Sequence, residues 1–199
     1  LQQPGLLVLS NEVDAAGLAS AEFATANCFV RKQMLAQVGG FDERYTSAWR
    51  EDSDLQFALL SAGGVILKAV GAVMVHPVRP ARWGISISQQ KKSQFDALLR
   101  HKYPGLYTKR IRGSPPWLYY FILSSMAIAL IGLLRNDTRI ALAGFVGWLL
   151  LTAVFAARRL HGTNRNPSHI AEMLWTSAVI PPLSVFWRLR GAVKFGSRL

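Results

Sequence analysis

Between Asp42 and Asp54 lie five carboxylates within thirteen residues: Asp42, Glu43, Glu51, Asp52 and Asp54. Aromatic Phe41, Tyr45 and Trp49 are set among them. Like charges this close repel and raise each other's pKa values, so the cluster needs a reason. One reason is bland: a solvated loop followed by an acidic helix start. The other is chemical: a carboxylate placed to act as a general base, or to hold a metal ion.

The neighbouring residues predict a helix that positions these groups. Ser53 with Gln56 three residues on reads as a capping box, and Asp52 and Asp54 suit the positive end of a helix dipole. Leu55, Leu59 and Ala62 supply an apolar face at helical spacing, and Gly63-Gly64 ends it. Asp52 then stands at or just before the first turn, its carboxylate outward. Upstream, residues 23–30 read as a buried strand or turn leading into a helix over 31–38, with Gly39-Gly40 as its C-cap. Downstream, 65–70 and 72–75 are short β-branched runs split by Gly71 and predict strands, the second ending in His76-Pro77. Residues 6–9 form another apolar run, compatible with a strand or a loop.

Gly39-Gly40-Phe41-Asp42-Glu43, then Tyr45, then Glu51-Asp52-Ser53-Asp54-Leu55 opening a helix, resembles the second half of a family 2 inverting glycosyltransferase domain of the GT-A fold. The resemblance covers residues 23–105. It implies an α/β architecture, a partial GT-A domain over 1–105, followed by α-helical membrane segments over 106–199. It also implies transfer of a sugar from a nucleotide diphosphosugar donor to an acceptor hydroxyl, with inversion. The acceptor would be a glycan or a lipid-linked glycan. Asp52 becomes the general base that deprotonates that hydroxyl, with Glu51, Asp54, Trp49 and Arg50 supporting the acceptor side.

His76 would help bind a divalent cation, and imidazole suits Mn2+ better than Mg2+. Asn27 sits on the turn that lies against the donor sugar in that family, although its side chain could instead bond its own turn. Arg79 and Arg82 are natural clamps for a diphosphate. Trp83 could face a sugar ring or rest on lipid headgroups. The family's donor-binding half, with its Asp-x-Asp motif, has no counterpart here. Asp52-Ser53-Asp54 has that spelling but follows Glu51 at a helix start and fits the base motif. The chain is therefore expected to lack an N-terminal portion and to be inactive alone. No charged segment with an apolar core opens it, so no signal peptide is expected.

Charge is unevenly spread. Residues 1–77 hold 5 basic and 8 acidic side chains, whereas 78–112 hold 9 basic ones and only Asp96. This basic block stands directly before the first long apolar run, where it would anchor on anionic membrane lipid. Nucleic acid is excluded as a partner because the aromatics lie in apolar runs and not among the basic residues, as a stacking platform requires. Cys28 is the single cysteine, so there is no internal disulfide and no cysteine-cluster metal site. It reads as a small buried residue. Residues 85–102 predict an amphipathic helix on the membrane surface, with Lys91, Lys92, Arg100 and Lys102 against Ile87, Phe95, Leu98 and Leu99. Tyr103-Pro104-Gly105 stops it.

Residues 117–134 and 140–157 each run eighteen positions without a charge. At 1.5 Å per residue each is about 27 Å long, enough to cross a bilayer. Lys109, Arg110 and Arg112 precede the first span, and Arg158-Arg159 close the second. The positive-inside rule puts both outer flanks, and the domain before them, on the cytoplasmic face of a bacterial-type inner membrane. Residues 170–187 contain Glu172 and Pro181-Pro182 and are expected to be interfacial or re-entrant. The tail with Arg188, Arg190, Lys194 and Arg198 then returns to the cytoplasmic surface. Two other functions compete: a non-catalytic membrane-anchored interaction protein, and a transport or assembly subunit. For the second, the spans offer only Ser124, Ser125 and Thr152 as polar groups.

Overall fold

The computed structural model describes residues 21–69, 71–74, 81–111 and 114–197. Among them the regular elements are α1 (Lys32–Gln37), α2 (Glu51–Ser61), α3 (Ile85–Gln89), α4 (Gln94–Lys102), α5 (Pro104–Arg110), α6 (Trp117–Leu134), α7 (Thr138–Leu160) and α8 (Pro167–Phe195). Short 3-10 turns cover Thr25–Asn27 and Gln90–Ser93.

No strand and no sheet occurs among the described residues, so the expected α/β GT-A architecture is corrected to a helical one. The reason lies in the predicted strands. A β-branched run favours extended backbone, but a strand is completed by hydrogen bonds to a neighbouring edge. Residues 65–69 and 72–74 pair with no such edge among the described residues, and Val65, Leu67 and Val73 are 81%, 85% and 84% exposed. Positions 70 and 75 and the run 6–9 lie outside the described residues.

The chain divides into two compact units. One comprises Ala15–Pro80, Lys92–Ser114 and Trp187–Leu199. Its core gathers Phe57 of α2, Leu99 of α4 and Tyr107 of α5, with Tyr103, Leu106 and Ile111 packed around them. Residues 85–102 are thus not one surface helix. α3 ends at Gln89, a 3-10 turn follows, and α4 buries Phe95, Leu98 and Leu99 almost completely. The apolar stripe is where the periodicity put it, but it meets protein and not lipid. Pro104, expected to end a helix, opens α5 at a position where its missing N–H leaves no bond unmade.

The other unit comprises Leu1–Asp14, Ala81–Lys91 and Pro115–Phe186. Here α6 and α7 form an antiparallel hairpin. The Asp137 carboxylate caps α7 by accepting from the Arg139 and Ile140 amides at 3.0 and 3.2 Å. The helices approach closely at glycine: a Cβ on Gly144 would run into the Ala129 backbone, and one on Gly132 into that of Ala141. Small residues allow such crossings where lipid supplies no hydrophobic drive between helices. The outward faces expose Phe121, Ile128, Leu142, Phe145, Leu149 and Leu150.

α8 is one continuous helix of 29 residues with Pro181 and Pro182 inside it. Glu172, which spoke against a membrane span over 170–187, has a partner within the unit: its Oε1 accepts the Gly84 amide at 2.6 Å. α6, α7 and α8 are each long and apolar enough to cross a membrane. The most apolar stretch of α8 is 39% buried, against 11% in each of the other two, so it leans far more on protein.

The hairpin crossing makes a specific demand. Gly144→Ala should lower stability by about 1–3 kcal/mol through overpacking. Gly147→Ala, whose methyl would meet only the Ser125 side chain, at 3.2 Å, should be nearly neutral. Thermal unfolding of the two variants in detergent checks this; equal midpoints would remove the close approach at Gly144.

Candidate functional site

α2 begins differently from the capping-box reading. Arg50 is its N-cap, in the left-handed region at φ 74°, and no side chain caps the helix. Ser53 lies inside the first turn. The far end matches expectation: the Gly63 and Gly64 amides return to the Leu60 and Leu59 carbonyls at 3.1 and 2.9 Å. Gly63 takes φ 81°, a conformation that costs a glycine little. Gly39-Gly40 closes α1 in the same way.

Asp52 stands half-buried in the first turn of α2. Its Oδ1 accepts the Thr25 hydroxyl at 2.5 Å, and its Oδ2 accepts the Thr25 amide more weakly at 3.4 Å. No cation pairs with Asp52 among the described residues. The Thr25–Asn27 turn is pinned in its own right, because Asn27 Nδ2 donates to the Ala72 carbonyl at 3.1 Å. That side chain therefore ties two distant segments together and does not bond its own turn. Cys28 follows directly, half-buried where a core position was expected. Burial, and then the Asp52 charge, push its thiol pKa up.

Two of the other acids, Asp42 and Asp54, are neutralised. Lys102 Nζ donates to Asp42 Oδ2 at 2.8 Å and to Asp54 Oδ2 at 2.7 Å. The Arg44 guanidinium grips Asp42 through Nε at 2.9 Å and Nη2 at 2.6 Å. Tyr45 donates its hydroxyl to Asp54 Oδ1 at 3.1 Å. Arg44 first, and then Lys102 against the opposing effect of burial, hold Asp42 well below the usual carboxylate range. Burial works against the Lys102 charge, but its bonds to Asp42 and Asp54 raise its pKa. Burial and the adjacent Asp54 push the Tyr45 hydroxyl far up.

A second buried acid holds the entry to α2. Asp96, 4% exposed, accepts Arg50 Nε at 2.6 Å, Trp49 Nε1 at 3.3 Å and Arg188 Nη2 at 2.8 Å. The Arg50 guanidinium also lies 4.7 Å over the Trp49 ring. Trp49 and Arg50, expected beside an acceptor, thus have polar groups engaged on Asp96. Glu51 keeps one oxygen, Oε2, buried without a hydrogen-bond partner among the described residues. Asp54 is buried in the Lys102 network.

Asp52, Glu51, Asp54, Trp49, Arg50 and Asn27 therefore belong to one unit. Arg82 belongs to the other, where it is exposed, and Trp83 beside it donates Nε1 to the Ser168 carbonyl at 3.3 Å. His76 and Arg79 lie outside the described residues. No group of three or more His, Cys, Asp or Glu side chains able to hold a metal ion comes together among the described residues. Sequence reasoning missed Thr25, Asp96 and Lys102 as partners. For Asp96 a signal existed: one acid inside a basic block, flanked by Phe95 and Ala97, is placed to be buried and paired.

Compared with known proteins, the chain matches no family model, no curated sequence and no solved structure.

Two outcomes follow from the site's electrostatics. Asp52→Asn removes one of the two effects that raise the Cys28 thiol, so alkylation by iodoacetamide at a fixed pH near 8 should run severalfold faster. An unchanged rate would separate the two groups. Lys102→Met leaves two carboxylates without their shared cation and should destabilise the unit by about 3 kcal/mol at neutral pH. Because the folded-state pKa of Asp42 is depressed, its contribution is present above the unfolded value, about 3.9. It is lost as pH falls, so the gap between wild type and variant should narrow below about pH 4. Urea unfolding in detergent across pH reads both.

Proposed function

We propose that this chain carries the acceptor side of a membrane-bound sugar-transferring enzyme, with Asp52 as the general base. The observation that carries the reading is the state of Asp52. A base must be charged, reachable and not neutralised by a cation. Asp52 is half-buried at a helix start, with the Thr25 hydroxyl on one oxygen and no cation beside it among the described residues. Asp42 and Asp54, drawn from the same motif pair, are both held by Lys102.

In the proposed reaction an acceptor hydroxyl donates its proton to Asp52 as its oxygen attacks the anomeric carbon of a nucleotide diphosphosugar. The new carbon–oxygen bond forms on the face opposite the leaving group. The bond from the anomeric carbon to the diphosphate breaks, and the nucleoside diphosphate departs with the electron pair. Inversion results. Thr25 would orient the carboxylate until the acceptor hydroxyl arrives. A divalent cation belongs to the same reading, with His76 as a ligand. Asp42 and Asp54 are too fully paired to hold it.

The acceptor side of such an enzyme would face the cytoplasm, seated on a bacterial-type inner membrane. The support is the asymmetry of charge: Lys109, Arg110 and Arg112 precede α6 and Arg158-Arg159 end α7, five basic residues against Arg135 and Arg139 at the short turn between the helices. A lipid-linked glycan is the acceptor best matched to that location.

The test uses the full-length protein in native membranes. Release of nucleoside diphosphate from a panel of UDP-, GDP- and dTDP-sugars should fall about 100- to 10,000-fold on Asp52→Asn. Asp54→Asn should instead lower stability. Turnover that survives Asp52→Asn would remove Asp52 as the base, and wild-type protein that releases no nucleoside diphosphate from any of these donors would favour a non-catalytic, membrane-anchored interaction protein.

A further inference from the structure

Residues 81–86 are distant from α7 and α8 in sequence, yet they belong to the same compact unit and are bonded to both helices. Trp83 Nε1 donates to the Ser168 carbonyl at 3.3 Å, and the Gly84 amide donates to Glu172 Oε1 at 2.6 Å. Arg159, in the last turn of α7, donates to Ser86 at 3.3 Å and to Thr176 and Ser177 at 2.6 and 3.1 Å. α7 ends at Leu160 and α8 begins at Pro167, so these bonds hold the segment at the open end of the hairpin. The start of α6 is there too, because the Tyr119 and Phe155 rings meet at 5.2 Å.

The local backbone decides what this segment presents. The Ile85 amide returns to the Arg82 carbonyl at 3.1 Å, and Gly84 takes φ 73° at the third position of that turn, where a left-handed residue is needed. Trp83 is pinned by its indole N–H yet remains 55% exposed, and Arg82 beside it is exposed. Arg158, His161 and Arg165 are exposed at the same end of the hairpin. Trp117, the first residue of α6, is 57% exposed.

Charge separates the two ends of the hairpin. The open end carries Arg82, Arg158, Arg159 and Arg165 against Glu172, a net of +3. The closed end carries Arg135 and Arg139 against Asp137, a net of +1. Between the ends, α6 and α7 turn bulky apolar side chains outward, so their sides suit hydrocarbon. An arginine grips phosphate oxygens through paired N–H groups, and a tryptophan sits well at headgroup level, one part of its ring apolar and the other wet. A free diphosphate offers an arginine the same oxygens, so Arg82 by itself does not choose between the two. Its place does: it stands beside Trp83 at the end of an apolar hairpin, where headgroups lie.

We infer that Arg82, Trp83, Arg158 and Arg165 form a docking surface for the phosphate headgroups of anionic membrane lipid. Arg82 then serves the bilayer and not the departing diphosphate of a sugar donor. The bonds from Trp83 to Ser168 and from Gly84 to Glu172 fix the 82–84 turn to α8, so the arginine is presented by a braced element and not by a loose loop.

The full chain, reconstituted in an equal mixture of phosphatidylcholine and phosphatidylglycerol and gently extracted, is examined by native mass spectrometry for the lipid it retains. Preference for phosphatidylglycerol is expected. It should fall about 25-fold in the double variant Arg82→Gln, Arg158→Gln, at about fivefold for each arginine removed. Both side chains are exposed, so the fold should survive their loss. The closed-end pair Arg135→Gln, Arg139→Gln should leave the preference in place. No preference in the wild type, no change in the open-end variant, or an equal fall in the closed-end variant overturns the inference. Calorimetric titration of the detergent-solubilised chain with pyrophosphate and with UDP addresses the other source of phosphate. Binding of either that Arg82→Gln abolishes overturns the inference in favour of a donor clamp, and heats that Arg82→Gln leaves unchanged support it. None of these readouts involves turnover, so their outcome is independent of the sugar-transfer proposal.

Discussion

The carboxylate of Asp96 is the point on which the unit containing Asp52 depends. An ionised group 4% exposed is tolerable only if its oxygens are fully used, and here two arginines and a tryptophan use them. Those donors come from three separate places: Arg50 at the start of α2, Trp49 before it, and Arg188 near the end of α8. Arg50 holds φ 74°, which a non-glycine residue adopts at a cost, and its bond to Asp96 is what offsets that cost. Removing the acid would free the entry to α2 and the end of α8 together.

Around that anchor the remaining acids divide their work. Asp42 and Asp54 close on Lys102, a cation from α4, and so bind α2 to its core helix. Asp52, two residues before Asp54, keeps a hydroxyl instead of a cation. The difference is one of position on the helix. Asp54 points into the packed side of α2 and is buried, while Asp52 lies on its half-open edge next to the Thr25–Asn27 turn. Within one acidic motif, then, Asp42 and Asp54 share a lysine while Asp52 keeps a hydroxyl partner.

The hydrophobic segments divide in a comparable way. The α6–α7 hairpin is held by close backbone approach at Gly132 and Gly144 and turns bulky side chains outward. α8 is longer but less apolar, it spends one face on protein, and its polar residues at Glu172 and Arg188 are bonded to partners. Length and composition place all three helices in one class; only their contacts separate them.

Much of this was legible in the sequence where the cause is local. Gly39-Gly40 and Gly63 end helices because the chain needs left-handed residues there, and the uncharged runs before Arg135 and Arg158 make helices long enough to cross a bilayer. The acidic start of α2 was equally readable, though its first residue was not, since Arg50 caps it with its backbone alone. What only the tertiary structure decided is who meets whom. Whether 65–69 and 72–74 become strands depends on an edge to pair with. Whether the α4 stripe faces lipid or core depends on Phe57 and Tyr107. Which carboxylates are neutralised depends on Lys102, Arg50 and Arg188, the last lying 92 residues from Asp96. Periodicity and capping act over a few residues and are written in order along the chain. Ion pairs and burial act across space, and only folding brings their partners within reach.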